Sequence, residues 1–222
     1  MANVELTSQE IDMTRDNVAA RIRRTLCDTL LSVGPDAPTA CEGWTTRDLA
    51  GHLVVRETRP DAAAGILVKS AAAYGDRIRQ RVAARDWNAL VDQVRSGPPR
   101  LSPMRLPAVD DVTNTIEYFV HLEDVRRARP DWDVVANEPF VDDALFKALR
   151  RGARLFARKS PVGLVLRTPG RDDVVARSAE PRVVIRGPVG EIVLYLYGRT
   201  ARVEFEGPAE AIERLQATKF GI

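Results

Sequence analysis

The chain has 222 residues, 45% apolar and 29% charged, and its Lys plus Arg (33) nearly cancel its Asp plus Glu (31). That length can bury one good core or divide into two modest domains. Balanced charge offers neither the basic excess that nucleic acid selects nor the acidic block of a disordered tail.

The N-terminal stretch MANVELTSQEIDMTRD is polar and acidic where a signal peptide is basic and then apolar, and no apolar run approaches membrane-spanning length. A cytoplasmic protein is expected, with neither a membrane nor a nucleic-acid partner. Lys69, Lys147, Lys159 and Lys219 are the only lysines against an abundance of arginine, a bias that reads as GC-rich coding rather than arginine chemistry. Two cysteines, Cys27 and Cys41, are too few for a disulfide framework and are not spaced as a CxxC pair, so both are expected reduced.

In chain order, T-S-Q-E from Thr7 resembles a capping box. The apolar residues Ile11, Val18, Ile22, Leu26, Leu30 and Leu31 then follow a helical period as far as Gly34, predicting one long helix with Cys27 in its core face. After a Pro- and Gly-containing loop, a threonine of Trp44-Thr45-Thr46 can cap a second helix carrying Leu49, His52, Leu53 and Val54. Residues 61–85 read as further helix, and Trp87 to Val94 as a short amphipathic piece. Beyond the breaker SGPPRLSPMRLP, Asp110 or Asp111 can cap a helix through IEYFVHLEDVRRAR to Pro130. The first 130 residues therefore predict a helical bundle.

After the linker DWDVVANEP, one more amphipathic helix is followed by short β-like runs, VGLVLRT, DVVARS and RVVIR. The end holds two strand-Gly-Pro-helix units, VVIR-GP-VGEIVLYLYG and VEFE-GP-AEAIERLQA, which shared local grammar explains better than an internal repeat. The expected division is a helical domain over residues 1–135 and a small α+β domain over residues 136–222.

His52 and His121 are the only histidines. Glu117 stands four positions before His121, and that helical spacing turns both side chains to one side. Alone, E-x-x-x-H is a weak motif, because a glutamate so placed often supports a solvated helix face. The second histidine changes the weighing: His52 also falls on the inward side of a helix, and bundle cores hold metals by projecting His and carboxylate ligands from facing helices. Two imidazoles and one carboxylate leave a divalent metal with open positions. Asp48 or Asp124 is a candidate partner for a ligand histidine, and Arg56 or Arg59 a candidate anion clamp. Trp44 suits a pocket wall or a hydrophobic staple. No Gly-rich loop has the spacing of a phosphate-binding fingerprint.

Cys41 to Leu53, C-E-G-W-T-T-R-D-L-A-G-H-L, followed by E-Y-F-V-H from Glu117 to His121, resembles the metal-binding domain of the mycothiol-dependent maleylpyruvate isomerase family. That family belongs to the DinB/YfiT-like four-helix metalloproteins of actinobacteria. The resemblance covers roughly the first 130 residues, and the later G-P-x-G-E-[IL] segment is similar to the sterol-carrier-like C-terminal domain found with the isomerase. It implies an N-terminal DinB-like four-helix bundle with a small C-terminal α+β domain, and a metal set of His52, Glu117 and His121. It also implies zinc as the metal, with nickel, iron or manganese as alternatives, and mycothiol as cosubstrate.

The function so implied is a mycothiol-dependent transferase or isomerase in which the metal activates a thiol or water, with a small-molecule thiol and an electrophilic substrate as partners. Related bundles pair through helices, so a homodimer is compatible with it. The alternative is a non-catalytic metal- or ligand-binding protein that keeps the bundle site. A third reading, with neither histidine on a metal, predicts that His52→Ala and His121→Ala affect stability alone. The residues that contact substrate are not legible, and no catalytic residue is assigned.

Overall fold

The computed structural model describes residues 17–59, 72–99, 102 and 113–221. The chain forms two compact units, Met1–Arg126 and Arg127–Ile222. The predicted capping box at Thr7, the helix over residues 61–71 and the cap at Asp110 or Asp111 lie outside the described residues.

In the first unit the described helices are α1 (Val18–Val33), α2 (Thr46–Thr58), α3 (Ala72–Ala83), α4 (Trp87–Ser96) and α5 (Thr115–Arg126). Helix α1 has its own start: Asn17 is extended, and its side chain accepts a hydrogen bond from Ala20 N at 2.9 Å. The part of the expected helix that is described thus has a capped start at Asn17, because a carboxamide that caps the first turn satisfies a donor left over at a helix start. Ile22, Leu26, Cys27 and Leu30 form the buried stripe of α1, each large apolar side chain contributing about 1.5–3 kcal/mol of burial. Cys27 is core as expected, and burial pushes its thiol up to about 12.

Helix α1 lies against α4 and α5, and α2 lies against α3 and α4. Close approach of α2 to α3 depends on Gly51, where a Cβ would meet the Ala83 Cβ at 3.0 Å and α3 backbone at 3.2 Å. Helix α5 is buried on nearly every side from Thr115 to Val125, Glu123 and Asp124 included. Polar contacts join α2 to α5 and to Asn114 just before it. They are His52 with Glu117, Arg56 with Asn114, and Tyr118 with Glu57.

The second unit contains α6 (Pro139–Phe156), a 3-10 turn (Ala157–Lys159), β1 (Gly163–Arg167), β2 (Val174–Arg177), β3 (Arg182–Arg186), α7 (Val189–Leu196), β4 (Glu204–Glu206) and α8 (Ala209–Gln216). The strands form one mixed sheet in the order β2-β1-β3-β4, with β1 parallel to β3 and the outer strands antiparallel to their neighbours. Helix α6 packs on β2 and α7, and Leu164, Leu166, Val183, Ile185, Leu145 and Leu149 form the centre of the core. Pro188 and Pro208 each stand immediately before their helix, as the two Gly-Pro units predict. Strands β3 and β4 are antiparallel neighbours, so a simple translation does not relate the two units, and their likeness is local grammar.

Among the described residues the protein is α+β, with eight α-helices and one four-stranded mixed sheet. None of these helices is long and apolar enough to cross a membrane.

Candidate metal centre

The local sequence explains how each side chain reaches the centre. Thr45 caps α2 in a reciprocal capping box: the Asp48 N–H donates to Thr45 Oγ1, and the Thr45 N–H donates to Asp48 Oδ2 at 3.0 Å. The helix start is thereby fixed two turns before His52. On α5, Glu117 and His121 share a face by helical spacing.

The three predicted residues come together. His52 Nε2 lies 3.1 Å from Glu117 Oε1, and His121 Nε2 lies 3.3 Å from the same oxygen. One donor atom from each of the three lies within 4.8 Å of the other two. The histidine rings meet edge to face with centroids 5.2 Å apart. All three side chains are mostly buried but not sealed, with 13% of His52, 18% of Glu117 and 8% of His121 exposed.

The structure chooses among the neighbours that the sequence offered. Of the two candidate partner acids, Asp124 holds His121: its Oδ2 lies 2.9 Å from Nδ1, and its side chain is fully buried. Asp48 is used by the capping box and by an ion pair with Arg79. Arg56 contacts Glu117 Oε1 through Nε at 3.4 Å and donates from Nη1 to Asn114 Oδ1 at 2.8 Å. Arg59 instead donates to the Tyr74 hydroxyl.

The Trp44 ring centroid lies 5.2 Å from that of His52, and the Arg79 guanidinium lies over the Trp44 ring at 4.8 Å from its centroid. Trp44 therefore walls the centre.

The loop between α1 and α2 delivers Trp44 and Cys41. Thr39 Oγ1 donates to the Trp44 carbonyl at 2.8 Å, the Trp44 N–H donates to the Cys41 carbonyl at 3.0 Å, and Gly43 turns the chain at φ 74°. The Ala40 N–H donates to the Asp124 carbonyl at 2.7 Å, which ties the loop to α5. As a result Cys41 Sγ stands 3.1 Å from Asp124 Oδ2.

The electrostatics favour positive charge at this spot. Burial pushes the Glu117 carboxyl up, but the Arg56 charge and hydrogen bonds from both histidines outweigh it and hold it well below the usual carboxylate range. Burial pushes His121 down, yet Asp124, Cys41 and Glu117 outweigh it and raise the imidazole well above its usual range. His52 is lowered, by burial first and then by the neighbouring charges of His121 and Arg56. The His121 ring thus lies between two carboxylates, Glu117 at Nε2 and Asp124 at Nδ1. Two imidazole nitrogens and an ionised carboxylate converging from two helices are a donor set that suits a divalent cation.

Deeper in the same unit is a group the sequence does not single out. Tyr118, next to Glu117 and turned about 100° from it around α5, donates to Glu57 Oε1 at 2.7 Å. Burial pushes the Glu57 carboxyl up to about 7, and the Tyr118 hydrogen bond and the charges of Arg23 and Arg56 only partly offset it. Spacing along one helix could not reveal it, because Glu57 and Tyr118 meet across two.

No family model matches the sequence, and no curated protein is detectably similar to it. Its fold is shared with solved structures of a mycothiol-dependent isomerase. These are the mycothiol-dependent maleylpyruvate isomerase and a histidine-to-alanine mutant of it, each with a TM-score of 0.52, 18% identity, and coverage of 86% of this chain and 92% of that one.

Proposed function

We propose that the protein is a divalent-metal-dependent member of the mycothiol-dependent maleylpyruvate isomerase family, holding its metal through His52, Glu117 and His121. The observation that carries this reading is the convergence of these three donors, within 4.8 Å of one another, from helices far apart in sequence. The shared fold and the CEGWTTRDLAGHL and EYFVH motifs support it. The same reading takes residues 1–135 as a DinB-like four-helix metal-binding bundle and residues 136–222 as a sterol-carrier-like domain. It also takes zinc as the first metal, ahead of nickel, iron or manganese, and the cytoplasm, where thiols stay reduced, as the location.

A divalent metal held there supplies Lewis acidity, lowering the pKa of a thiol or water that reaches the open side. Asp124 accepts from His121 Nδ1 and so presents Nε2 toward Glu117. Arg56 keeps Glu117 ionised and aimed. Trp44 covers one side of His52 and excludes water there. The exposed fractions of His52 and Glu117 mark the side from which a small thiol enters. The activity is addition of the thiol, mycothiol, to an electrophilic carbon, in a transfer or an isomerisation.

Elemental analysis of the purified protein tests the centre: near-stoichiometric metal in the wild type and none in the triple variant His52→Ala, Glu117→Ala, His121→Ala. Metal-free protein in both, even after incubation with zinc, overturns it. The enzymatic part is overturned if metal-loaded protein neither binds mycothiol nor changes the rate of thiol addition to any of a panel of electrophiles. Metal binding with that second result leaves the non-catalytic alternative in place.

A further inference from the structure

The His121 ring faces donors on both edges. Its Nε2 looks toward Glu117 at 3.3 Å, whereas its Nδ1 lies 2.9 Å from Asp124 Oδ2, and that same oxygen accepts from the Cys41 thiol at 3.1 Å. Cys41 Sγ, Asp124 Oδ2 and His121 Nδ1 belong to a second set of donors within 4.8 Å of one another, and this set uses neither His52 nor Glu117.

We infer that Cys41, Asp124 and the Nδ1 edge of His121 form a second cation site, selective for thiophilic ions such as cadmium, cobalt or zinc in excess. The donor chemistry carries the argument. The first set offers nitrogen and oxygen only, while the second adds a sulfur, and a thiolate shifts preference toward softer metals. Ligands bound tetrahedrally at zinc bond lengths stand about 3.3–3.8 Å apart, so the hydrogen-bonded pairs need to open by only a few tenths of an ångström to admit an ion. The geometry is also held from outside. Asp124 is fully buried on α5, and the loop carrying Cys41 is tied to that helix by the Ala40 to Asp124 backbone hydrogen bond. Cys41 itself is partly exposed and provides the way in.

On binding, the sulfur and nitrogen lone pairs pass to the metal, and the thiol and Nδ1 protons pass to solvent. The site shares His121 with the centre proposed above, through the other ring nitrogen, but needs neither His52 nor Glu117.

The test is a titration of the full chain with cobalt(II) and with cadmium, followed by ultraviolet and visible absorption. Thiolate-to-metal charge transfer in the near ultraviolet reports the sulfur, and the cobalt d–d bands report the nitrogen and oxygen set. The expected result is a charge-transfer band that survives Glu117→Gln and disappears in Cys41→Ser, while Cys41→Ser keeps the d–d bands. No charge-transfer band in the wild type at excess metal overturns the inference. So does a band undiminished in Cys41→Ser, because the sulfur is then that of Cys27. If the His52, Glu117, His121 set binds nothing, the charge-transfer band is still expected, which separates failure of one site from failure of the other.

Discussion

Each unit contains a buried glutamate beside an arginine, and the two are built differently. In the C-terminal unit Glu191 is saturated. Arg127 grips both of its oxygens, at 2.5 and 3.1 Å, and the Arg202 N–H donates to Oε2 at 2.7 Å. Trp132 is stacked by the guanidinium groups of Arg127 and Arg202, at 4.4 and 4.9 Å. In the helical unit Glu117 is shared: His52, His121 and Arg56 all address Oε1, and among the described residues Oε2 takes no hydrogen bond. A carboxylate with both oxygens engaged by its own chain is a structural clasp. One with an oxygen in reserve and two imidazoles at its side can still take a ligand.

The largest effect expected from this contrast is in the clasp. Glu191→Ala leaves Arg127, whose side chain is only 6% exposed, buried without its partner, and should cost about 3–5 kcal/mol in denaturant unfolding. A loss within the range of surface ion pairs would erase the distinction.

Next is Glu57, a buried carboxylate whose side-chain hydrogen bond among the described residues comes from a neutral hydroxyl. Its folded-state pKa is raised, so the folded protein binds this proton more tightly than the unfolded chain. Its stabilising contribution is therefore complete below about 4.5 and lost as pH rises through about 7, a change of about 3 kcal/mol. Unfolding in urea at several pH values should show this slope in the wild type, and Glu57→Gln should flatten it. Equal slopes in both proteins would mean that Glu57 is not the group responsible.

Glu117→Gln then tests the shared carboxylate directly. Zinc at a hundred times its dissociation constant should stabilise the wild type by about 2.7 kcal/mol, and the variant should gain markedly less in the same thermal melts, what is left belonging to the Cys41, Asp124 and His121 set. A variant that responds to zinc as the wild type does would make Glu117 a clasp like Glu191.

The smallest change is Thr45→Ala, which removes the cap of α2 and should cost about 1 kcal/mol. Zinc binding should persist, because Arg79, Trp44 and the ordered loop still hold the start of the helix. If zinc binding disappears with the cap, α2 is positioned by its first turn alone.

By itself the sequence determined the helical N-terminal part and the α+β C-terminal part, the Gly-Pro helix starts, and the facing of Glu117 and His121. All of these follow from periods of 3.6 and 2.0 and from capping chemistry, which act over a few residues. His52 was legible through its place after the GWTT cap and the motif resemblance. The cap at Asn17 was not, since apolar periodicity continues across it. Tertiary structure alone decided that Asp124 rather than Asp48 holds His121, that Arg56 aims Glu117, that Trp44 walls the centre and that Cys41 reaches Asp124. Apart from Asp124 with His121, three residues apart on α5, these join residues on different elements, up to 83 positions apart. Such a pairing depends on how α2, α5 and the loop between α1 and α2 pack together, and local spacing carries no record of that.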